Sequence, residues 1–286
     1  MRIAVGASSF SREIPEHEVL LNPYGRKMTK EEIIQHLQDA EGLLAGLEPL
    51  DEEVFSLCPK LKAIARIGIG MDNVDIKAAT AYNIKVSNTP DAPTYAVAEM
   101  VLAALLCIAR QIIPANTDIH NWKWKKRIGF SLRESAILLV GYGRIAKVFE
   151  QMLEPFEMTI LKYDPQLYGC KPLTELLPIA DIVSLHAAGK EQIIGEHEIS
   201  LMKDGAVLLN SARGGLVDED AVYNALKREK LSWYWADVFS QEPYSGNLTQ
   251  LDNAILTPHI STYTVQCRKA MEEQAIKNLL EDLNNA

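Results

Sequence analysis

With 286 residues the chain suits two domains of ordinary size, each able to bury its own core. Hydrophobic residues make up 48% of it and charged residues 23%, which reads as globular and excludes a disordered chain, and a formal net charge of −9 argues against a nucleic-acid partner. Cys58, Cys107, Cys170 and Cys267 are far apart and form no C-x-x-C pair, so neither a metal site nor a disulfide framework is expected.

Residues 3–5 read as a strand, too short for the apolar core of a signal peptide. Thr29-Lys30-Glu31-Glu32 is a capping box opening a helix with Ile33, Ile34 and Leu37 facing inward. Residues 42–45, 63–67 and 84–87 read as further strands, and strands alternating with helices imply a parallel sheet covered by helices. Pro90 and Pro93 then bar helix and favour an extended crossing, which places a domain boundary here. A helix over about residues 94–109 is apolar on nearly every face and must be buried on several sides. Its most apolar stretch, 100–109, is about half the length that spans a bilayer, so no membrane partner and a cytoplasmic location are expected. The basic cluster Lys123, Lys125, Lys126 and Arg127 reads as a solvated surface.

From about residue 135 strand and helix alternate again. The strand 136–140 runs into Gly141-Tyr142-Gly143-Arg144-Ile145-Ala146, a G-x-G-x-x-A spacing. A helix follows, with Ile145, Val148, Phe149, Met152 and Leu153 on one face. A second strand, 158–163, ends in Asp164. Each part serves to hold a dinucleotide. Gly141 permits a tight turn, Gly143 lets a pyrophosphate approach the backbone, and Ala146 lets helix and strand pack closely. The helix N-terminus offers free N–H groups to the phosphates, and Asp164 can accept hydrogen bonds from ribose hydroxyls.

Further strands are expected at 182–185, 206–209, 234–237 and 254–256, and a last helix, about 264–283, folds back on the first domain. The expected fold is α/β: a Rossmann dinucleotide-binding domain at 91–263, and a smaller flavodoxin-like α/β substrate domain made of 1–90 and 264–286, with a cleft between them as the default active site.

Arg213, Glu242 and His259 each follow one of these strands, where ligands bind in open parallel sheets. Hydride transfer to a 2-oxo acid needs this set. Arg offers a rigid donor fork to a carboxylate and a ketone. His supplies a proton near neutral pH, and a carboxylate orients it.

The chain resembles the D-isomer-specific 2-hydroxyacid dehydrogenase family. The matching pieces are ARIGIGMDNVDI at 65–76, SNTP at 87–90, VAE at 97–99, GYGRIAKVF from 141, YDP at 163–165, ADIVSLH at 180–186, MKDGAVLLNSARGGLVDEDAV at 202–222, DVFSQEP at 237–243 and LTPHI at 256–260. The resemblance implies an NAD-dependent enzyme interconverting D-2-hydroxy acids and 2-oxo acids. It assigns Arg213 to the substrate carboxylate and carbonyl, His259 to acid/base work and Glu242 to orienting His259. It also implies that the amides of Ile69 and Gly70 help hold the substrate carboxylate. Arg144 and Ile145 would line the pyrophosphate, Ser211 and Ala212 the cofactor, and Asp237 the nicotinamide carboxamide.

Residues 109–112, with Trp122 and Trp124, resemble the D-3-phosphoglycerate dehydrogenase branch, which implies a homodimer formed through the NAD-binding domain. Two departures stand out. The segment after His186 is shorter than in relatives and lacks their hydroxyls, and His186 itself reads as structural. Residues 44–47, Leu-Ala-Gly-Leu, carry no charge where phosphoglycerate enzymes have an Arg, leaving Arg66 as a second cation. A small or aliphatic 2-oxo acid is therefore expected as substrate. D-3-phosphoglycerate dehydrogenase is the alternative, and an NAD-sensing corepressor-like binding protein a more distant one, since a corepressor has little need of all three catalytic groups.

Overall fold

The computed structural model describes residues 1–285. The chain forms two compact units: Met1–Pro93 with the C-terminal segment from Tyr263, and Thr94–Thr262.

The first unit is built on a parallel five-stranded sheet. Its strands are β1 (Arg2–Val5), β2 (Glu18–Leu20), β3 (Gly42–Ala45), β4 (Ala63–Arg66) and β5 (Lys85–Asn88), in the order β2-β1-β3-β4-β5. That is the flavodoxin-like order. β3 is buried at all four positions, as a strand covered on both faces must be. Helices α1 (Lys30–Leu37), α2 (Glu52–Leu57) and α3 (Ile76–Ala81) cover it. The capping box forms: Glu32 N–H donates to Thr29 Oγ1 at 3.3 Å and Thr29 N–H to Glu32 Oε2 at 2.9 Å, a cap worth about 1 kcal/mol. Asp51 and Asp75 cap α2 and α3 one way only, their side chains accepting from Val54 N–H and Ala78 N–H.

α4 (Ala92–Ala109) begins two residues before the expected 94. Pro93 lies in its first turn, where a missing N–H breaks no intrahelical bond, so only Pro90 keeps the chain extended. At 18 residues and a mean hydropathy of 1.8, α4 could cross a membrane by length and composition alone, so the 100–109 stretch understates it. Val97, Val101, Leu105 and Ile108 instead join a core with Ile137, Leu139, Phe149 and Trp235. α5 (Ile112–His120) follows.

The second unit carries β6 (Ala136–Val140), α6 (Arg144–Leu153), β7 (Thr159–Tyr163), α7 (Leu173–Leu176), β8 (Ile182–Leu185), α8 (Glu196–Leu201), β9 (Ala206–Asn210), α9 (Glu219–Lys227), β10 (Leu231–Ala236) and β11 (Ala254–Leu256). The six strands are parallel, in the order β11-β10-β9-β8-β6-β7. Only β7 lies on the far side of β6, and the short α7 occupies the stretch before β8. The order reverses at β6, the switch point at which dinucleotides bind. Alternate residues of β6 enter different cores, Ile137 and Leu139 on one face and Leu138 and Val140 on the other. The Rossmann sheet is thus buried on both sides.

α10 (Val265–Asn284) returns to the first unit and packs on β3, β4 and β5. A Cβ at Gly42 would lie 2.9 Å from Leu283 Cδ1 and 3.2 Å from Leu279 Cδ1, so this helix approaches β3 closely only over glycine.

Candidate active site

The glycine turn has the geometry its residues suggest. Gly141 has φ +86°, and a Cβ on it would meet the Ala187 backbone at 2.5 Å. Conformation and space both demand glycine there. Gly143 caps α6 with nothing within 4 Å of where its Cβ would be. That leaves an open cradle at a helix N-terminus, the arrangement that accepts a pyrophosphate. Arg144 and Ile145 form the first turn, and Ala146 is fully buried beneath it. Asp164 Oδ2 accepts from Tyr142 N–H at 2.8 Å and Oδ1 from Gln166 N–H at 2.9 Å. Its carboxylate is thereby held at the end of β7, with lone pairs left for ribose hydroxyls.

The three strand-end loops are tied to one another. Asn210, fully buried at the end of β9, accepts from Ala212 N–H at 3.1 Å and donates to the Arg213 carbonyl at 2.9 Å. Ser211 and Ala212 lie on the turn it braces. Arg213 Nη1 donates to the Ala212 carbonyl at 2.7 Å. A Cβ at Gly214 would overlap the Phe239–Ser240 backbone, so the loop carrying Arg213 sits directly against the loop carrying Glu242. Phe239 and Tyr244 stack at 4.3 Å across that second loop.

Glu242 uses both oxygens. Oε1 accepts from Phe239 N–H at 3.1 Å and Oε2 from His259 Nδ1–H at 3.0 Å. A carboxylate only accepts, which fixes the proton on Nδ1 and leaves Nε2 to exchange a proton with a ligand. The His259 and Glu242 side chains are 40% and 33% exposed, so a ligand can reach them. His259 has φ +54°, a left-handed backbone that its surroundings must enforce.

Asp237 does the enforcing, a task that sequence reasoning missed. It is buried, and its carboxylate accepts from Thr257 Oγ1 at 2.6 Å, Ile260 N–H at 2.9 Å, Ser261 N–H at 2.8 Å and the Ser261 hydroxyl. Those donors flank His259 on both sides. The only sequence signal was an acid closing one strand and hydroxyl residues following the next.

His186 is half-buried, with Nε2 2.9 Å from Ser184 Oγ and its ring 5.5 Å from that of Phe149. Burial pushes its pKa down to about 3, so it stays neutral. Among the described residues no group of three or more His, Cys, Asp or Glu is placed to hold a metal.

In the first unit, Ile69 and Gly70 are half-buried in the loop after β4. Gly68 N–H donates to Thr89 Oγ1 at 2.7 Å and Asn88 Nδ2 to the Ile69 carbonyl at 2.8 Å, which anchors that loop to the end of β5. Arg66 Nη1 donates to the Ile67 carbonyl. Residues 44–47 are uncharged, as expected, but only Gly46 and Leu47 lie outside β3. Leu44 and Ala45 are buried within β3, and Glu48 follows, fully buried, accepting from Gly46 N–H at 2.8 Å. Burial holds its carboxyl above the ordinary range.

Residues 102–261 match the D-isomer specific 2-hydroxyacid dehydrogenase, NAD binding domain family. The chain belongs to the D-isomer specific 2-hydroxyacid dehydrogenase family. It is an NAD-dependent oxidoreductase that interconverts D-2-hydroxy acids and 2-oxo acids. It is 34% identical to a glyoxylate reductase of Pyrococcus furiosus over 93% of this chain and 86% of that one. It is 37% identical to a D-3-phosphoglycerate dehydrogenase of Methanocaldococcus jannaschii over 85% of this chain and 50% of that one. The crystal structure of a Thermus thermophilus protein superposes with a TM-score of 0.88 at 32% identity, over 100% of this dehydrogenase and 97% of that chain.

Proposed function

We propose that this dehydrogenase reduces a small 2-oxo acid of the glyoxylate class with NADH, through Arg213, Glu242 and His259. The observation that carries the mechanism is the Glu242–His259 hydrogen bond, which leaves Nε2 as the proton-exchanging atom. The cradle at Gly141 and Gly143, Arg144, Ile145 and Asp164 fit the dinucleotide, with Ser211, Ala212 and Asp237 alongside. When bound, the nicotinamide supplies the hydride. Arg213 holds the substrate carboxylate and polarises the ketone, and the amides of Ile69 and Gly70 share the carboxylate's charge. His259 Nε2 donates a proton as negative charge develops on the ketone oxygen. Glu242 keeps the imidazole in the donating orientation, and Asp237 keeps its loop in place.

Matching 86% of a glyoxylate reductase's length against 50% of a D-3-phosphoglycerate dehydrogenase's supports the small-substrate reading over the phosphorylated one. The test is kcat/KM with NADH for glyoxylate against 3-phosphohydroxypyruvate. Glyoxylate is expected to win by at least about tenfold, and the reverse order would transfer the proposal to D-3-phosphoglycerate dehydrogenase.

The proposal extends to a homodimer formed through the second unit, in the cytoplasm. Trp122, Trp124 and Ile128 are 97%, 86% and 95% exposed, close in sequence to the half-exposed Ile112 and Ile119. Apolar side chains this exposed suit a partner surface. Light scattering on the eluted protein should give twice the chain mass, and a monomer at micromolar concentration would end this part of the proposal.

A further inference from the structure

We infer that Glu150 sets the coenzyme preference by withholding Lys162 from the ribose end of the dinucleotide. The inference rests on the reading that Asp164 faces that ribose. An NADP 2′-phosphate at this place needs a cation, and repulsion from Asp164 alone is incomplete discrimination if a lysine can swing in beside it. Such a lysine exists. Lys162 stands two positions before Asp164 along the β7 direction, and alternate residues of a strand share a face.

The structure occupies that lysine. Its Nζ lies 2.7 Å from Glu150 Oε1, donates to Tyr142 Oη at 2.9 Å, and sits 4.5 Å from the centroid of the Tyr142 ring. The Tyr142 hydroxyl in turn donates to Glu150 Oε2. Burial opposes ionisation of Glu150, yet the bonds from Lys162 and Tyr142 hold its carboxyl below the ordinary range. The bond to Glu150 likewise raises Lys162 above its ordinary value, so both partners are charged and mutually satisfied. Tyr142 is the middle residue of the glycine turn, and its own N–H binds Asp164. One residue thus links the turn and the ribose acid through its backbone and the withheld lysine through its side chain. Lys147, 5.7 Å from the centroid of the same ring, is the other lysine beside it. Glu150 lies in the second turn of α6 and outside the glycine spacing, so nothing in dinucleotide binding itself calls for an acid there.

The experiment measures kcat/KM with NADH and with NADPH on one 2-oxo acid, at low and high salt. The variants are Glu150→Ala, Glu150→Gln, Lys162→Met, Glu150→Ala with Lys162→Met, and Asp164→Ser. Freeing Lys162 should raise the NADPH/NADH ratio about fivefold in both Glu150 variants, less at high salt. The rise should vanish in the double variant, and Lys162→Met alone should leave the ratio at the wild-type value. An equal loss with both coenzymes, a rise that survives Lys162→Met, or a fall in NADPH use with Lys162→Met alone would overturn the inference. Asp164→Ser separates the two levels. If it leaves the ratio unmoved, the ribose reading fails, whereas if it raises the ratio and the Glu150 variants do not, only the role of Glu150 fails.

Discussion

The strand ends of the two units are prepared very differently. In the second unit each functional side chain is held by another group. Asp237 binds the loop around His259 through four donors, Glu242 spends both oxygens on Phe239 and His259, and Asn210 staples the turn that presents Arg213. In the first unit the ends of β3 and β4 carry Glu48, buried with its carboxyl raised, and Arg66, whose guanidinium donates to the neighbouring Ile67 carbonyl. The acid/base groups of the second unit are preorganised, whereas the strand ends of the first unit are built around a buried acid.

A large effect should come from Arg213→Lys. It keeps the charge but loses the two-pronged grip, and kcat/KM is expected to fall by at least about 100-fold, on the order of 3 kcal/mol. NADH affinity, read by fluorescence titration, should survive. Loss of NADH binding with turnover otherwise intact would move Arg213 to the cofactor site and weaken the comparison at its root.

Asn210→Ala should act more mildly. Removing two buried hydrogen bonds is expected to lower unfolding stability by about 2 kcal/mol and kcat by roughly tenfold. An unchanged kcat would mean that the turn carrying Arg213 needs no staple.

The smallest effect concerns Glu48. Its folded carboxyl holds a proton to higher pH than the unfolded chain does. Its contribution to stability is therefore full below the ordinary carboxylate range and is lost as pH rises through the raised value. Glu48→Gln removes that dependence, so the variant should gain on wild type in Tm as pH rises above the ordinary carboxylate range. A Tm difference that stays constant over that rise would show that the Glu48 carboxyl is not held above the ordinary range.

Most of the strands, the glycine turn and the capping box were legible because each is a local pattern. Thr29 and Glu32 are three residues apart, and Gly141 and Gly143 adjoin a strand of five apolar residues. β2 escaped because Glu18–Leu20 has only three residues and no burial pattern to repeat. α5 escaped because Pro114 reads as a breaker, although in a helix beginning at Ile112 it occupies the first turn, where proline is tolerated. The identities of Arg213, Glu242 and His259 could be read from residue type and strand-end position. Their supports could not. The donors to Asp237 lie 20 to 24 residues away, and the burial of Glu48 depends on Gly6 and Gly46 leaving room for its carboxylate. Long-range hydrogen bonds and burial belong to the folded chain and leave little trace in spacing.

The central claim is that Glu242 and His259 act as one proton-transferring unit on a preorganised loop. A double-mutant cycle on kcat/KM for NADH-dependent reduction of glyoxylate tests it most directly. His259→Gln is expected to lose about 1000-fold and Glu242→Gln about 30-fold, in line with general acid–base catalysis and an orienting partner. If Glu242 works only through His259, the double variant should fall within about threefold of His259→Gln alone. Losses that multiply to roughly 30,000-fold would contradict the account, because Glu242 would then be acting on the reaction by a route of its own.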